Sequence, residues 1–315
     1  NYYVDSISSA SIDVLTRASP YSEERTEYSL GVDYLLGETI LSAGYGTSDE
    51  NDFDAETAWF NVSQDIFGGL TTVNLGYLRG SDTVRRSDDP TFAQDVDRRG
   101  YRIGISQVIT KNLVTTFDFE GITDEGFLNN PYREVRYSDP LAPDLQGWQL
   151  EQYPNTRTSS AFAVGGRYFL EPRSAVYANA RYFNDTWEID AWNATIGYVR
   201  PYKTEWLFDV SYRYYTQNAA EFYSDLFPFE DAQNFLARDK ELSTFTSHAL
   251  KLDATYKFPV EFWDLLDRGT VNFSYNYIKF DYADFRNALA GGTPGTEPFY
   301  SFSADVIQFY VSFWF

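Results

Sequence analysis

The stretch "DVIQFYVSFWF", residues 305–315, closes the chain, and its reading decides the fold. Ile307, Phe309, Val311, Phe313 and Phe315 fall on one side of an extended chain, while Gln308, Tyr310, Ser312 and Trp314 fall on the other. A segment of period two with one wholly apolar face must bury that face. The chain as a whole is hydrophilic on average, so what buries this face is the first question.

The same alternation recurs along the chain. Tyr28, Leu30, Val32, Tyr34 and Leu36 oppose Ser29, Gly31 and Asp33. Trp206, Phe208, Val210, Tyr212 and Tyr214 alternate with Leu207, Asp209, Ser211, Arg213 and Tyr215. Leu250, Leu252, Ala254 and Tyr256 oppose Lys251, Asp253, Thr255 and Lys257. About fourteen such segments are predicted as strands, near 1–12, 26–36, 38–48, 54–66, 69–80, 98–109, 112–122, 158–170, 174–185, 188–199, 204–216, 246–258, 269–281 and 303–315. Most are about twice as long as the roughly 5–6 residues of an ordinary globular strand.

Alternation alone also suits a soluble sandwich; the connections favour a different fold. Short turns at Gly37, Phe67-Gly68-Gly69, Thr110-Lys111, Glu171-Pro172-Arg173 and Pro201-Tyr202-Lys203 alternate with long connections over 13–25, 49–53, 81–97, 123–157, 217–245 and 282–302, with a single tight exception near Asp185-Thr186-Trp187. Short turns on one rim and long loops on the other are the plan of an outer-membrane barrel. The expected fold is all-β: a single domain over 1–315, a transmembrane antiparallel up-and-down β-barrel of about fourteen strands. Its long extracellular loops fold over the mouth, and both chain ends lie on the short-turn rim. The chain starts inside a strand pattern, and an upstream hairpin would raise the count to about sixteen. The apolar face of 305–315 then meets lipid, and closure against the first strand removes the free edge.

Composition agrees. There are 26 Tyr, 26 Phe and 7 Trp, but no Cys and no Met. Without cysteine there is no disulfide framework, thiolate metal site or thiol nucleophile. With 46 acidic against 25 basic residues the net charge is −21, which argues against nucleic acid as a partner. No cofactor is expected, and a single histidine, His248, argues against an imidazole metal centre or haem ligation.

Five stretches carry a resemblance: "YYVDSISSASIDVLTRASPYSEERTEYSLGVDYL" (2–35), "ITDEGFLNNPYREVRY" (122–137), "YPNTRTSSA" (153–161), "RYYTQNAAEFYSDLFPFEDAQNFLARDKELSTF" (213–245) and the tail. Together they resemble a Gram-negative bacterial outer-membrane β-barrel family known as a domain of unknown function. The resemblance implies an outer-membrane location and upstream strands, and it points to a small lipoprotein as a partner. It supplies no reaction, substrate or catalytic residue. Ile307, Phe309, Val311, Phe313 and Phe315 also resemble the C-terminal signal read by the barrel-insertion machinery.

The predicted inward charges are Asp33, Arg102, Asp118, Glu120, Arg167, Arg181, Asp209, Arg213, Lys251, Asp253 and Lys257. They either line a water-filled pore or pair across strands to brace the wall. In 221–241, Phe222, Leu226, Phe229 and Leu236 recur at near-helical spacing with Asp231 as N-cap, which predicts a folded lid or a docking surface. The segment 123–157 is expected to pack with it. Asp49, Glu50, Asp52 and Asp54 form either a Ca²⁺ site or a solvated acidic tip. The arginine pairs 85/86 and 98/99 are expected to zip a loop base by ion pairs. His248 falls near the upper rim on the lipid face. It lacks a recognisable serine partner, so no enzymatic activity is expected. Membrane lipid and lipopolysaccharide are the expected surroundings. Two functions remain open: a passage for small solutes gated by the loops, or a plugged structural barrel that holds a lipoprotein or surface complex.

Overall fold

The computed structural model describes residues 2–7, 23–139, 141–259 and 268–314. Fourteen antiparallel strands form one sheet in which each strand pairs with the next along the sheet. They are β1 (Tyr2–Ile7), β2 (Glu23–Leu36), β3 (Thr39–Asp49), β4 (Phe53–Ile66), β5 (Thr71–Arg86), β6 (Asp89–Thr110), β7 (Leu113–Gly126), β10 (Thr156–Leu170), β11 (Ser174–Asp185), β12 (Asp190–Tyr202), β13 (Trp206–Gln217), β14 (Phe245–Pro259), β15 (Arg268–Arg286) and β16 (Phe299–Trp314). A separate hairpin, β8 (Glu134–Asp139) with β9 (Ala142–Leu150), sits within the connection from β7 to β10. Beyond β1, the sheet strands run from 11 to 22 residues, long enough to cross a bilayer at a tilt.

The alternating positions take up the predicted register. Val210 stands opposite Leu252 and Tyr212 opposite Leu250, whereas Ser211 faces Lys251 and Asp209 faces Asp253. On β16, Ile307, Phe309 and Val311 stand opposite Tyr275, Phe273 and Val271 on β15. One face of the sheet is therefore apolar, and none of the described residues covers it: Leu30 is 74% exposed and Phe309 67%. Water would oppose an apolar band of this extent, so the band is a lipid-facing surface. The opposite face is polar. Residues of β6, β7 and β13–β16 line one common cavity, so the sheet curves until distant strands face each other across its inner side.

The short turns follow local chemistry. Gly37, with φ of +63°, leads the two-residue turn into β3, where a side chain would be strained. The outcome differs from expectation in four places. The connection 49–53 is short, with only Glu50, Asn51 and Asp52 between β3 and β4. Residues 81–97 are not a long loop: β5 and β6 stay paired out to Arg86 and Asp89, so only Ser87 and Asp88 turn. The charges of this stretch alternate with Val84 and Val96, both buried, and this sustains the strand pattern beyond the membrane band. Residues 221–241 form no α-helix; Asp231 is not an N-cap but has φ of +51° and exchanges hydrogen bonds with Gln149. Finally, Tyr2 stands opposite Tyr28, near the middle of β2 rather than at the short-turn rim, whereas Trp314 does reach that rim opposite Arg268. Phe315 and residues 8–12 lie outside the described residues.

Candidate functional site: the inner wall and its loop cap

All eleven predicted inward charges take inner-face register positions, and most have a partner. Arg102 meets Asp118 at 3.4 Å, Arg181 meets Glu120 at 2.8 Å, and Lys251 meets Asp253 at 2.9 Å. Arg167 lies over the Tyr177 ring and Arg213 over the Tyr215 ring. Asp209 accepts a hydrogen bond from the Tyr177 hydroxyl at 3.0 Å. Among the described residues no ion pair holds Asp33 or Lys257. The wall is thus laced by opposite charges, yet Arg102, Lys251 and Arg181 stay exposed to the interior space.

Two of these contacts skip a strand, and small residues make that possible. Arg181 on β11 reaches Glu120 on β7 across β10, where Ala161 and Ala163 stand in between. Tyr177 reaches Asp209 on β13 by lying across Gly197 on β12, and a Cβ at Gly197 would come within 2.2 Å of the tyrosine ring.

Above the wall the connections between β7 and β10, β13 and β14, and β15 and β16 form one packed cap. Phe222 and Leu236 are buried in it and Leu226 is half-buried; Phe229 is 49% exposed on the surface and is not part of the packing. Phe222 packs with Tyr153, Trp187, Ile189 and Leu242, and Leu236 with Val135 and Phe227. The 123–157 segment therefore does pack with 221–241.

The centre of the cap is ionic, which sequence reasoning missed. Arg136 and Arg238 are almost completely buried. Arg136 donates to Glu297 at 2.5 and 3.2 Å and to Asp225, and Arg238 meets Asp225 at 3.0 Å. The Arg286 backbone N–H also donates to Asp225, at 3.2 Å, so this carboxylate ties the first two connections to the end of β15. Nearby, Glu151 accepts from the Tyr153 hydroxyl at 2.6 Å and from the Arg238 backbone N–H at 2.7 Å. Burial, reinforced by the neighbouring Asp239, pushes the Glu151 carboxyl up to about 7. The available sequence signal was a charge set inside aromatic runs, as in "YREVRY" and "FLARDKE".

Between cap and wall lies a cavity of about 630 Å³, within the range of small-molecule sites. Tyr215, Phe245, Phe280, Tyr282 and Phe302 form one side, and Arg98, Asp124, Arg157 and Trp187 another. Its charges are internally matched: Arg98 pairs with Asp124 at 2.7 Å, and Arg157 pairs with Asp185 at 2.5 Å and lies over the Trp187 ring.

The remaining candidates fall elsewhere. Asp54 pairs with Arg85 at 2.8 Å and Glu50 lies 3.7 Å from Arg25, and among the described residues no acidic grouping suited to a metal ion occurs. Arg86 pairs with Asp88 in its own turn, while Arg85 and Arg98 reach neighbouring strands. His248 is on the outer face, with its Nδ1 2.5 Å from the Tyr212 hydroxyl.

The fold is similar to that of the siderophore receptor PirA from Pseudomonas aeruginosa (TM-score 0.52, 10% identity), over 84% of this chain and 49% of that one. Weaker likenesses are to CdiB from Acinetobacter baumannii (TM-score 0.45, 10% identity, 98% of this chain and 59% of that one) and to OmpT, an outer membrane protein of Vibrio cholerae (TM-score 0.42, 8% identity, 100% and 95%). The chain spans about half the length of PirA and somewhat more of CdiB. None of the curated proteins compared with the chain matches it in sequence. Strand length, the uncovered apolar face and the PirA-like fold place the chain in the outer membrane. Residues 5–277 match the family described as "Protein of unknown function (DUF3570)", and the chain belongs to that family.

Proposed function

We propose that the chain is an outer-membrane passage for small solutes, gated by its folded extracellular loops. The observation that carries this reading is the cavity between the cap and a wall lined by both signs of charge. Opposite charges on facing parts of a wall set up a transverse field that orients a polar solute. The reading has the sheet closed as a barrel, by β1 with β16 or by further strands between them. Barrels of about 16–18 strands leave an aqueous channel, and fourteen or more would approach that size. The reading includes no catalytic step. The outer face of β16 supplies the surface that the insertion machinery would read.

Planar-bilayer recording tests the passage. The wild type should conduct in brief, infrequent openings, and deletion of 221–241 should give larger, steadier currents. Absence of current from both proteins would exclude an open pore.

A second reading, a plugged barrel that holds a lipoprotein or surface complex, is favoured by the top of the cap. Leu141, Leu145, Phe229, Phe235 and Leu289 are exposed there. A stoichiometric small protein co-purifying in mild detergent, and lost on Phe229→Ser with Leu289→Ser, would favour this reading over the passage.

A further inference from the structure

On the outer face Leu75 stands opposite Ile103, and in the next outer pair Tyr77 stands opposite Tyr101, with ring centroids 5.3 Å apart. One step further toward the long-loop rim the directly opposed pair is Arg79 and Arg99. Both are exposed, and among the described residues neither forms an ion pair. Like charges in direct cross-strand register repel, so the pair weakens the sheet unless something neutralises it. The same-face neighbours on β4 and β7 are Ala58 and Thr123, small and uncharged, which leaves the two guanidinium groups open to the surroundings. Acids return only one step beyond, at Glu56 and Asp97, both paired in register with Ser81. In a chain with 46 acidic and 25 basic residues, twin cations without carboxylate partners are not a general surface property.

The order apolar, tyrosine, arginine, acid marks where hydrocarbon gives way to headgroups. We infer that Arg79 and Arg99 together dock a phosphomonoester of an outer-leaflet glycolipid, the phosphorylated lipid A of lipopolysaccharide. A guanidinium offers two parallel N–H donors to phosphate oxygens, and two such forks on adjacent strands can share one phosphate. A phosphomonoester carries about −1.5 to −2 charge and so balances both cations. A phosphodiester headgroup carries one charge and leaves half of the repulsion in place. The inference rests on the proposal that the long loops are extracellular, but not on solute passage.

Native mass spectrometry of the protein in neutral detergent tests it, with bis-phosphorylated lipid A, dephosphorylated lipid A, phosphatidylglycerol and inorganic phosphate as probes. Wild type should retain phosphorylated lipid A over the other three. Arg79→Gln with Arg99→Gln should lower that retention by about tenfold, and the paired lysine variant should fall in between. The repulsion supplies a second readout. Without lipid, Arg79→Gln should unfold at a higher temperature than wild type, and lipid A should reverse the order. Conductance should not change in any of these variants, so loss of the passage reading would show separately. Equal lipid A retention by wild type and the double variant would overturn the inference. So would equal retention of dephosphorylated lipid A or phosphatidylglycerol, or binding of inorganic phosphate alone, which would mark an adventitious ion only.

Discussion

Arg136 and Glu297, separated by 161 positions in the chain, face each other through two hydrogen bonds of 2.5 and 3.2 Å, with side chains 0% and 4% exposed. This fork joins the connection after β7 to the one after β15, and Asp225 brings in the third. The cap is therefore held by buried charge as much as by its aromatic packing.

Removing one partner of a buried ionic group leaves the others uncompensated, at a cost of about 3–5 kcal/mol. Arg136→Ala should release the cap while leaving the membrane strands intact. Limited proteolysis should then cut within 218–244, and hydrogen exchange should rise there but not in β10–β13. Unchanged protection of 218–244 in this variant would show that apolar packing alone holds the cap.

Glu151 makes the cap sensitive to pH. Its folded carboxyl lies at about 7, above the ordinary carboxylate value of 4.5, so the folded cap binds the proton more tightly than the opened one. Stabilisation is full below about pH 4.5 and is lost as pH rises through 7. Protection factors in 127–155 and 218–244, which correct for the intrinsic rise of exchange with pH, should be high at pH 5 and lower at pH 8. Glu151→Gln keeps an acceptor for the Arg238 backbone N–H and should flatten this dependence.

The register of β13 and β14 makes a paired prediction about the wall. Leu252 is on the outer face beside Val210, whereas Asp253 faces the interior in contact with Lys251. An arginine on the lipid face near the midplane costs about 2–4 kcal/mol, so Leu252→Arg should lower the unfolding midpoint markedly. Asp253→Ser removes an exposed ion pair worth at most about 1 kcal/mol. It should fold normally and, if the lumen conducts, shift the reversal potential toward anions by freeing Lys251.

This register was legible in the sequence because a strand's side chains alternate strictly, and a one-residue slip would put Lys251 in lipid. The wall needed no knowledge of distant contacts. The cap did. Arg136, Asp225, Arg238 and Glu297 come from three separate connections, and nothing local to any of them names its partner. Near-helical spacing in 221–241 misled for the same reason. Phe222 packs with Tyr153, Trp187 and Ile189, and Leu236 with Val135, all from other connections, and the backbone hydrogen bonds of 222–237 go to Gln152, Arg136 and their own turn rather than to a helix.

Gly197 offers the sharpest test of how the inner wall is braced. It is directly opposite Tyr177, whose ring occupies the space of a side chain and whose hydroxyl reaches Asp209 beyond. Pairing an aromatic ring with a cross-strand glycine recovers packing that the glycine lacks. Gly197→Val adds a branched side chain where even a Cβ comes within 2.2 Å of the ring, so Tyr177 must swing away and give up Asp209. Overpacking of this kind costs about 1–3 kcal/mol. Tyr177→Phe should cost less, because it removes only the hydroxyl and leaves the ring over the glycine. With Gly197→Val as background, Tyr177→Ala should restore part of the lost stability by clearing the collision. The folded and unfolded bands on an unboiled gel, followed against temperature, give the order. A valine variant as stable as wild type, or no rescue by Tyr177→Ala, would mean that the ring does not need the glycine beneath it.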